Sequence, residues 1–319
     1  MGQQLGYITR RAILPRVVVE IYNTSPLLAA LLSTADTEAG GVDSFIANVQ
    51  SSQFVKPQFT GFTGQFDAPQ AVSGLAQAAW SMCMAICPIP LFANEILIQS
   101  KQAIQSILNL RLNDTGNAMR DMLSYALYNW TTSSSPMQIV GLPAAIDDGT
   151  VAQTYGGIDR SLNPWWRATV YNASSVNPTR ANMLTYGIGV TKQQGEAPHF
   201  AVMGMGTWAQ LAQDFLGLER YMPNQDTTDK YLSAFRALEV GGIPFYADPY
   251  CPEGVCYFIN TNYLNAKIHE NANFELLDFQ SMVPVNQLAF TAVAFLVMVV
   301  VNTKPKANGY VKNLLYQTI

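Results

Sequence analysis

Tyr155-Gly-Gly-Ile-Asp-Arg-Ser-Leu-Asn-Pro-Trp-Trp-Arg167 is the stretch on which the reading of this chain turns. It sets Asp159, Arg160 and Arg167 beside Trp165 and Trp166, within an irregular region that opens on a glycine turn. Two readings follow from the residues. One is a buried loop with aromatic anchors. The other is a contact surface, because arginine mixed with tryptophan is the composition of interface hot spots.

Upstream, residues 93–130 carry helical spacing. Ile96, Leu97, Ile104, Ile107 and Leu108 mark a first part, and Asn113 to Gly116 predicts a break. Met119, Met122, Leu123, Ala126, Leu127 and Trp130 then recur at helical intervals, giving a long amphipathic helix with Asp114 near its start. Residues 42–92 read as extended. Ala76, Ala78, Trp80, Met82, Met84 and Ile86 fall on one parity and smaller side chains on the other, which predicts a strand with a large-residue face. A Gly-, Pro-, Gln- and Phe-rich link between Gln53 and Gly74 makes the whole a long hairpin with an irregular tip. A two-stranded hairpin is marginal alone in water, so this one is expected to lie on a neighbouring copy of the chain. Near the N-terminus, Pro15 and Pro26 open two short helical pieces, with Ser25 as an N-cap.

Downstream, residues 180–280 suggest a compact α/β unit. A helix from Thr179 leads to a strand at His199–Met203 and a helix at Trp208–Leu218, with later strands near Ala237–Ala247, Val255–Asn260 and Ala266–His269. Leu288 to Val301 is the longest apolar run. It is rich in valine and well short of the ~20 residues a membrane helix needs, so a buried strand is expected and no membrane segment.

Composition narrows the function. Of 319 residues only 13% are charged, against about 25% in an ordinary soluble domain, while 49% are hydrophobic. That apolar content excludes a disordered chain, and a net charge of -4 argues against a nucleic-acid reader. A surface so poor in charge fits a chain that covers itself with its own copies. No secretory signal is visible, so Cys83, Cys87, Cys251 and Cys256 are expected to remain thiols. Cys251 and Cys256 flank a turn and are expected to face each other across a hairpin. The spacings C-x3-C and C-x4-C lack a zinc knuckle, and no metal is expected.

One motif resembles enzyme chemistry. Gly204-x-Gly206-x-x-Ala209 follows a predicted strand and opens a predicted helix, where backbone N–H groups can cradle a pyrophosphate. Its other reading is a tight strand-to-helix turn that needs glycine. Asp147-Asp148 and Asp226 with Asp229 read as turn formers. His199 and His269 stand too far apart in sequence and context to suggest a triad. No catalytic residue, cofactor or metal is therefore expected.

Gly156-Gly-Ile-Asp-Arg-Ser-x-Asn-Pro-Trp-Trp-Arg167, set between a long helix and an α/β unit, resembles the major capsid proteins of tailed bacteriophages, whose shell fold is shared with encapsulins. Arg11 to Arg16, Ser25 to Leu28, Gly241 to Phe245 and Val301 to Lys306 resemble further parts of that family, in the same order. The resemblance implies an α+β fold: an N-terminal arm (1–41), an extended β-hairpin loop (42–92), a peripheral domain with a spine helix (93–175), an α/β axial domain (176–280) and a return strand (281–319). It implies a structural protein that assembles into hexamers and pentamers of an icosahedral shell around double-stranded DNA. Its partners would be copies of itself, a scaffolding protein, a portal and decoration proteins, assembled in the host cytoplasm into a virion. The residues expected at subunit contacts are Trp80, Met82, Met84, Arg160, Trp165, Trp166 and Arg167. Some family members cross-link a loop lysine to a neighbour's asparagine, and Lys56 with Asn302 or Asn308 is the candidate set here. An encapsulin-like compartment and a nucleotide-binding enzyme built on Gly204 to Ala209 are the alternatives.

Overall fold

The computed structural model describes residues 25–38, 43–51, 62, 74–92, 95, 101–131, 138–215, 237–282 and 287–317. Helix α1 (Pro26–Ser33) begins as its sequence requires. The Ser25 hydroxyl accepts the Leu28 N–H, proline fills the first turn, and Leu27, Leu28, Leu31 and Leu32 are buried. Strands β1 (Asp36–Glu38), β2 (Ser44–Gln50), β3 (Leu75–Ser81) and β4 (Cys83–Phe92) follow, then the long helix α2 (Lys101–Asn129) and the short helix α3 (Leu142–Ala145). The loop quoted above forms β5 (Thr154–Tyr155), β6 (Ile158–Asp159) and a single 3-10 turn at Pro164–Trp166. Next come β7 (Thr169–Val176), α4 (Arg180–Gln194), β8 (Phe200–Met203), α5 (Met205–Phe215), β9 (Ala237–Val240), β10 (Ile243–Ala247) and β11 (Cys256–Ile259). The chain closes with β12 (Leu264–His269), β13 (Glu275–Leu276), β14 (Gln280–Ser281), β15 (Ala289–Asn302) and β16 (Gly309–Leu314).

These strands build two larger sheets. The first is organised by β15, the apolar run of the sequence. On one edge it pairs antiparallel with β4, from Phe92 opposite Ala289 to Cys83 opposite Met298. On the other edge it pairs with β12, β13 and β14, and β1 adds in parallel outside β12. The second sheet has the order β7-β16-β11-β8-β10-β9, with α4 and α5 packed against it around Met183, Val190, Leu211 and Phe258. The return strand region therefore serves both sheets: β15 lies in the first and β16 in the second.

Two sequence expectations need correction. The break foreseen at Asn113–Gly116 does not occur. Asparagine and glycine each cost a helix roughly 0.5–1 kcal/mol. That penalty is outweighed by an unbroken buried stripe of Leu108, Leu112, Met119, Leu123 and Leu127, which packs α2 on β4 and α3. The single-parity strand also fails. The hairpin β2–β3 ends at Ser81, Met82 and Cys83 are both buried, and from there the buried parity inverts to Cys83, Ala85, Ile89 and Leu91. One residue is used to leave the two-stranded ribbon and enter the first sheet. Met84 and Ile86 consequently turn outward, 55% and 53% exposed.

The N-terminal helix, the long helix and the second sheet meet at Asp248. This carboxylate is fully buried at the end of β10 and accepts the hydroxyls of Ser25 and Tyr128, the latter at 2.9 Å, and the Tyr250 N–H at 2.9 Å. A buried acceptor without such donors would be costly, so the contact fixes where α1 sits. The stripe on α2 gives a direct test. Leu123→Ala, at a buried position, is expected to cost about 2–5 kcal/mol, while Leu110→Ala, 70% exposed on the same helix, stays within about 0.5 kcal/mol. Thermal or denaturant unfolding of the two variants checks it.

Candidate functional site

The 155–167 loop is built around Arg160. Its guanidinium is fully buried and makes three hydrogen bonds to carbonyls: Trp166 at 3.2 Å, Ala152 at 3.0 Å and Ala145 at 3.3 Å. It lies 5.0 Å from the centre of the Tyr155 ring and 3.8 Å from the carboxylate of Asp147, which is equally buried. Burial works against the arginine's charge, and Tyr155 and Asp147 oppose that effect. Asp147 in turn accepts the N–H groups of Gly149, Val151 and Ala152, each at 2.9 Å. It does form a turn, as its neighbours suggested, but its larger role is to balance Arg160. Arg167 donates to the Arg160 carbonyl at 2.7 Å and to the Ser161 carbonyl at 3.0 Å, closing the loop on itself.

The aromatic side chains form one cluster over this centre. Trp166 donates its ring N–H to the Tyr155 carbonyl at 2.9 Å. Trp80 from β3 lies 5.7 Å from Tyr155 and 6.4 Å from Trp166, and Phe45 from β2 stacks on Trp80 at 6.1 Å. Gly156, at φ +58°, must be glycine twice over: the angle disfavours side chains, and a Cβ would lie 2.9 Å from the Trp80 ring. The Tyr155 hydroxyl accepts the Asn302 N–H at 3.0 Å, which ties the loop to the end of β15.

This geometry corrects part of the expected contact set. Trp80, Met82, Arg160 and Trp166 are each less than 9% exposed, buried by the chain's own loop and sheet, and have no surface to give a neighbour. The base of the hairpin thus rests on its own subunit: Phe45, Ala47, Val49, Ala78 and Trp80 face inward, while Ile46 and Leu75 face out, both more than half exposed. Arginine beside tryptophan is as diagnostic of a core built on one buried cation as of an interface, and the sequence alone does not separate the two. Trp165 and Arg167 remain partly exposed and Met84 more than half exposed. Met84 and Ile86 line a groove of about 200 Å3 together with Met122, Ala126, Trp130 and Ile139, where β4 meets α2. A second apolar groove, about 390 Å3, runs between Leu184 and Ile188 of α4 and Gly241 and Ile243.

The cross-link set is also corrected. Lys56 lies outside the described residues. Asn302 and Asn308 are fully buried, and their amides are hydrogen-bonded to each other at 3.2 Å, so neither is presented to another subunit. Cys251 and Cys256 are both buried free thiols, one in the loop after β10 and the other opening β11. Among the described residues no group of three or more His, Cys, Asp or Glu is placed to hold a metal ion, and no helix is long and apolar enough to cross a membrane.

The Gly204-x-Gly206-x-x-Ala209 turn does join a strand to a helix, β8 to α5, but its anion cradle is filled by the protein. Glu253 accepts the N–H groups of Gly206 and Thr207, each at 2.9 Å, and the Thr207 hydroxyl at 3.1 Å. A Cβ on Gly204 would lie 2.7 Å from the Glu253 carboxylate, and one on Gly206 would lie 2.2 Å from the Gln317 carbonyl. The glycines admit an internal carboxylate and the C-terminal strand exit; a pyrophosphate has no place there. A glutamate 47 residues on carried no sequence signal for this role, nor did Tyr155 or Asp147 for theirs.

No family model matches the chain, and no curated protein matches it by sequence. Solved structures do match its fold over nearly its whole length. The capsid subunit of cyanophage A-1(L) is 15% identical with a TM-score of 0.69, covering 91% of this chain and 93% of that one. A capsid subunit of a native GTA particle is 12% identical, with a TM-score of 0.56 over 89% of each chain. The holo-SrpI encapsulin from Synechococcus elongatus PCC 7942 is 12% identical, with a TM-score of 0.53 over 89% of this chain and 88% of that one. The chain has the α+β shell fold shared by phage major capsid proteins and encapsulins.

Two outcomes test the loop. Trp166→Ala is expected to cost about 3–5 kcal/mol in unfolding of the chain. The second concerns Tyr155, whose hydroxyl burial pushes up to about 12, against about 10 in an unfolded chain. The folded pKa is the higher, so this contribution to stability is complete below about pH 10 and is lost as the pH rises through about 12. Burial moves Tyr128 and Tyr257 the same way. The part of the tyrosinate absorbance that comes from these three residues should therefore lag behind that of denatured chain and appear together with loss of tertiary circular dichroism.

Proposed function

We propose that this chain is the major capsid protein of a virion, a structural subunit that assembles into hexamers and pentamers of an icosahedral shell around double-stranded DNA. The observation that carries the reading is coverage. A phage capsid subunit and this chain superpose over more than nine-tenths of both, with a TM-score of 0.69, against 0.53 for the encapsulin. The surface supports it independently. Charge is scarce, and half-exposed apolar side chains gather on two faces, Met84 and Ile86 beside α2, and Leu184 and Ile188 on α4. We assign the first face, with Trp165 and Arg167, to contacts between subunits. The chain acts through repeated weak contacts and carries no chemistry of its own. Scaffolding, portal and decoration proteins are the partners such a shell would recruit, and the host cytoplasm is where it would assemble.

Electron microscopy of the purified chain is expected to show closed particles of uniform diameter, and particles from infected cells to protect DNA from nuclease. A co-purifying enzyme in nuclease-sensitive particles would instead favour the compartment reading. A monomer that persists at high concentration would overturn both. The β4 face has its own test: Met84→Asp combined with Ile86→Asp, both at exposed positions, should leave the subunit's melting temperature within a few degrees and abolish particle formation.

A further inference from the structure

The two sheets are joined by two chain crossings that run side by side. Residues 260–263 carry β11 into β12, and residues 303–308 carry β15 into β16. Both flanking pairs are antiparallel neighbours, Phe258 opposite Gly309 in one sheet and Leu264 opposite Asn302 in the other. The crossings are therefore the bend of one continuous two-stranded ribbon that belongs to both sheets.

Three asparagines occupy this bend, each no more than 1% exposed. Asn308 accepts the Asn260 N–H at 2.7 Å and donates to the Asn302 side-chain oxygen at 3.2 Å. Asn302 also accepts the Lys304 N–H at 3.3 Å and donates to the Ala145 carbonyl at 3.0 Å, the carbonyl that Arg160 uses. Asn260 accepts the Asn262 N–H at 3.1 Å and donates to the Ala197 carbonyl at 3.4 Å. Every one of these amides is satisfied, and each links the bend to a different element: α3, the segment after α4, or the opposite crossing. Amides are suited to this because each offers a donor and an acceptor without a charge to desolvate.

We propose that the Asn260–Asn302–Asn308 chain is a rigid joint that fixes the angle between the two sheets, and that through this angle it sets the size of the assembled particle. The size role rests on the shell reading above; the rigidity does not. A subunit whose two halves are held at one angle repeats one curvature, whereas a loosened bend admits several.

The test is Asn308→Ala, with exchange of backbone amides in 260–263 and 303–308 and particle diameters measured by electron microscopy. The variant leaves the Asn260 N–H without its buried acceptor, so exchange in both crossings should rise about tenfold or more while α2 is unchanged. Particle diameters should broaden beyond the wild-type distribution. If Asn308→Ala fails to fold, Asn302→Ser, which keeps the bond between Asn308 and the Asn260 N–H, is read the same way. Unchanged exchange in the crossings overturns the joint. Raised exchange with wild-type diameters overturns its role in size. Absence of particles from the unmodified chain overturns the shell reading, and the size role with it, before any substitution is made, and the exchange measurement still decides rigidity.

Discussion

A guanidinium with no exposed surface must find every partner inside the fold, and Arg160 is such a group. Removing one partner from a buried ion pair leaves a bare charge and costs several kcal/mol, so the fold is constrained to supply them all at once. Asp147 gives the balancing charge, Ala145, Ala152 and Trp166 give carbonyls, and Tyr155 gives a ring face. Those partners come from α3, the turn after it and both ends of the quoted loop. Once they are gathered, Trp166 and Tyr155 present an aromatic floor, and Trp80 of the hairpin settles on it. The Ala145 carbonyl is then shared with Asn302, which carries the constraint into the bend between the sheets. A single buried cation thus orders the loop, the hairpin base and the joint.

The long sheet obeys a different constraint. A strand of 14 residues such as β15 presents two edges that must be paired or covered. One is sealed by β4 and the other by β12, β13 and β14 in turn. The switch at Met82 follows from this. β3 must put its apolar parity down on the aromatic floor, and β4 must put its own toward α2 and the core. The two faces are not on the same side of the chain, so one residue is spent inverting the pattern. The outward residues of β4 are left apolar, Met84 and Ile86, and an exposed apolar sheet face of that kind gains by being covered.

How much of this was legible follows from which signals are local. Ser25-Pro26 and the leucines after it announced α1, because a cap and a stripe are local. The valine-rich run announced β15, and the strand–glycine–helix turn announced β8 and α5. The continuity of α2 was hidden because Asn113 and Gly116 are judged by propensity alone until the surface they face is known. The inversion at Met82 was hidden because alternation counts residues and does not see a change of sheet. Arg160 and Trp166 stand out in the sequence as contact residues, and the fold buries both within the chain. Their pattern reports that a cation and aromatic rings will be desolvated together, and is silent on whether the covering atoms belong to the same chain. Glu253 and the three asparagines gave no pattern, since apart from the two-residue turns at Asn262 and Lys304 their partners lie between 6 and 157 residues away.

The Gly204 turn shows why a site has to be argued from its occupant. Backbone N–H groups at a helix start attract an anion whatever its origin. A nucleotide enzyme leaves that position open to solvent and lets a phosphate fill it. Here the Glu253 carboxylate fills it permanently, and the glycines that would have let a ligand approach admit instead this side chain and the chain's own C-terminal backbone. The same physics that builds a binding site in one protein is used in this one as a staple between α5 and the loop before β11. A fold whose anion cradle, buried cation and buried amides are all satisfied internally has directed its polar groups toward holding its shape. Among the described residues the Trp80 ring N–H and the Ser124 hydroxyl are buried without a partner, and half-exposed apolar side chains such as Met84, Ile86 and Ile188 remain on the surface.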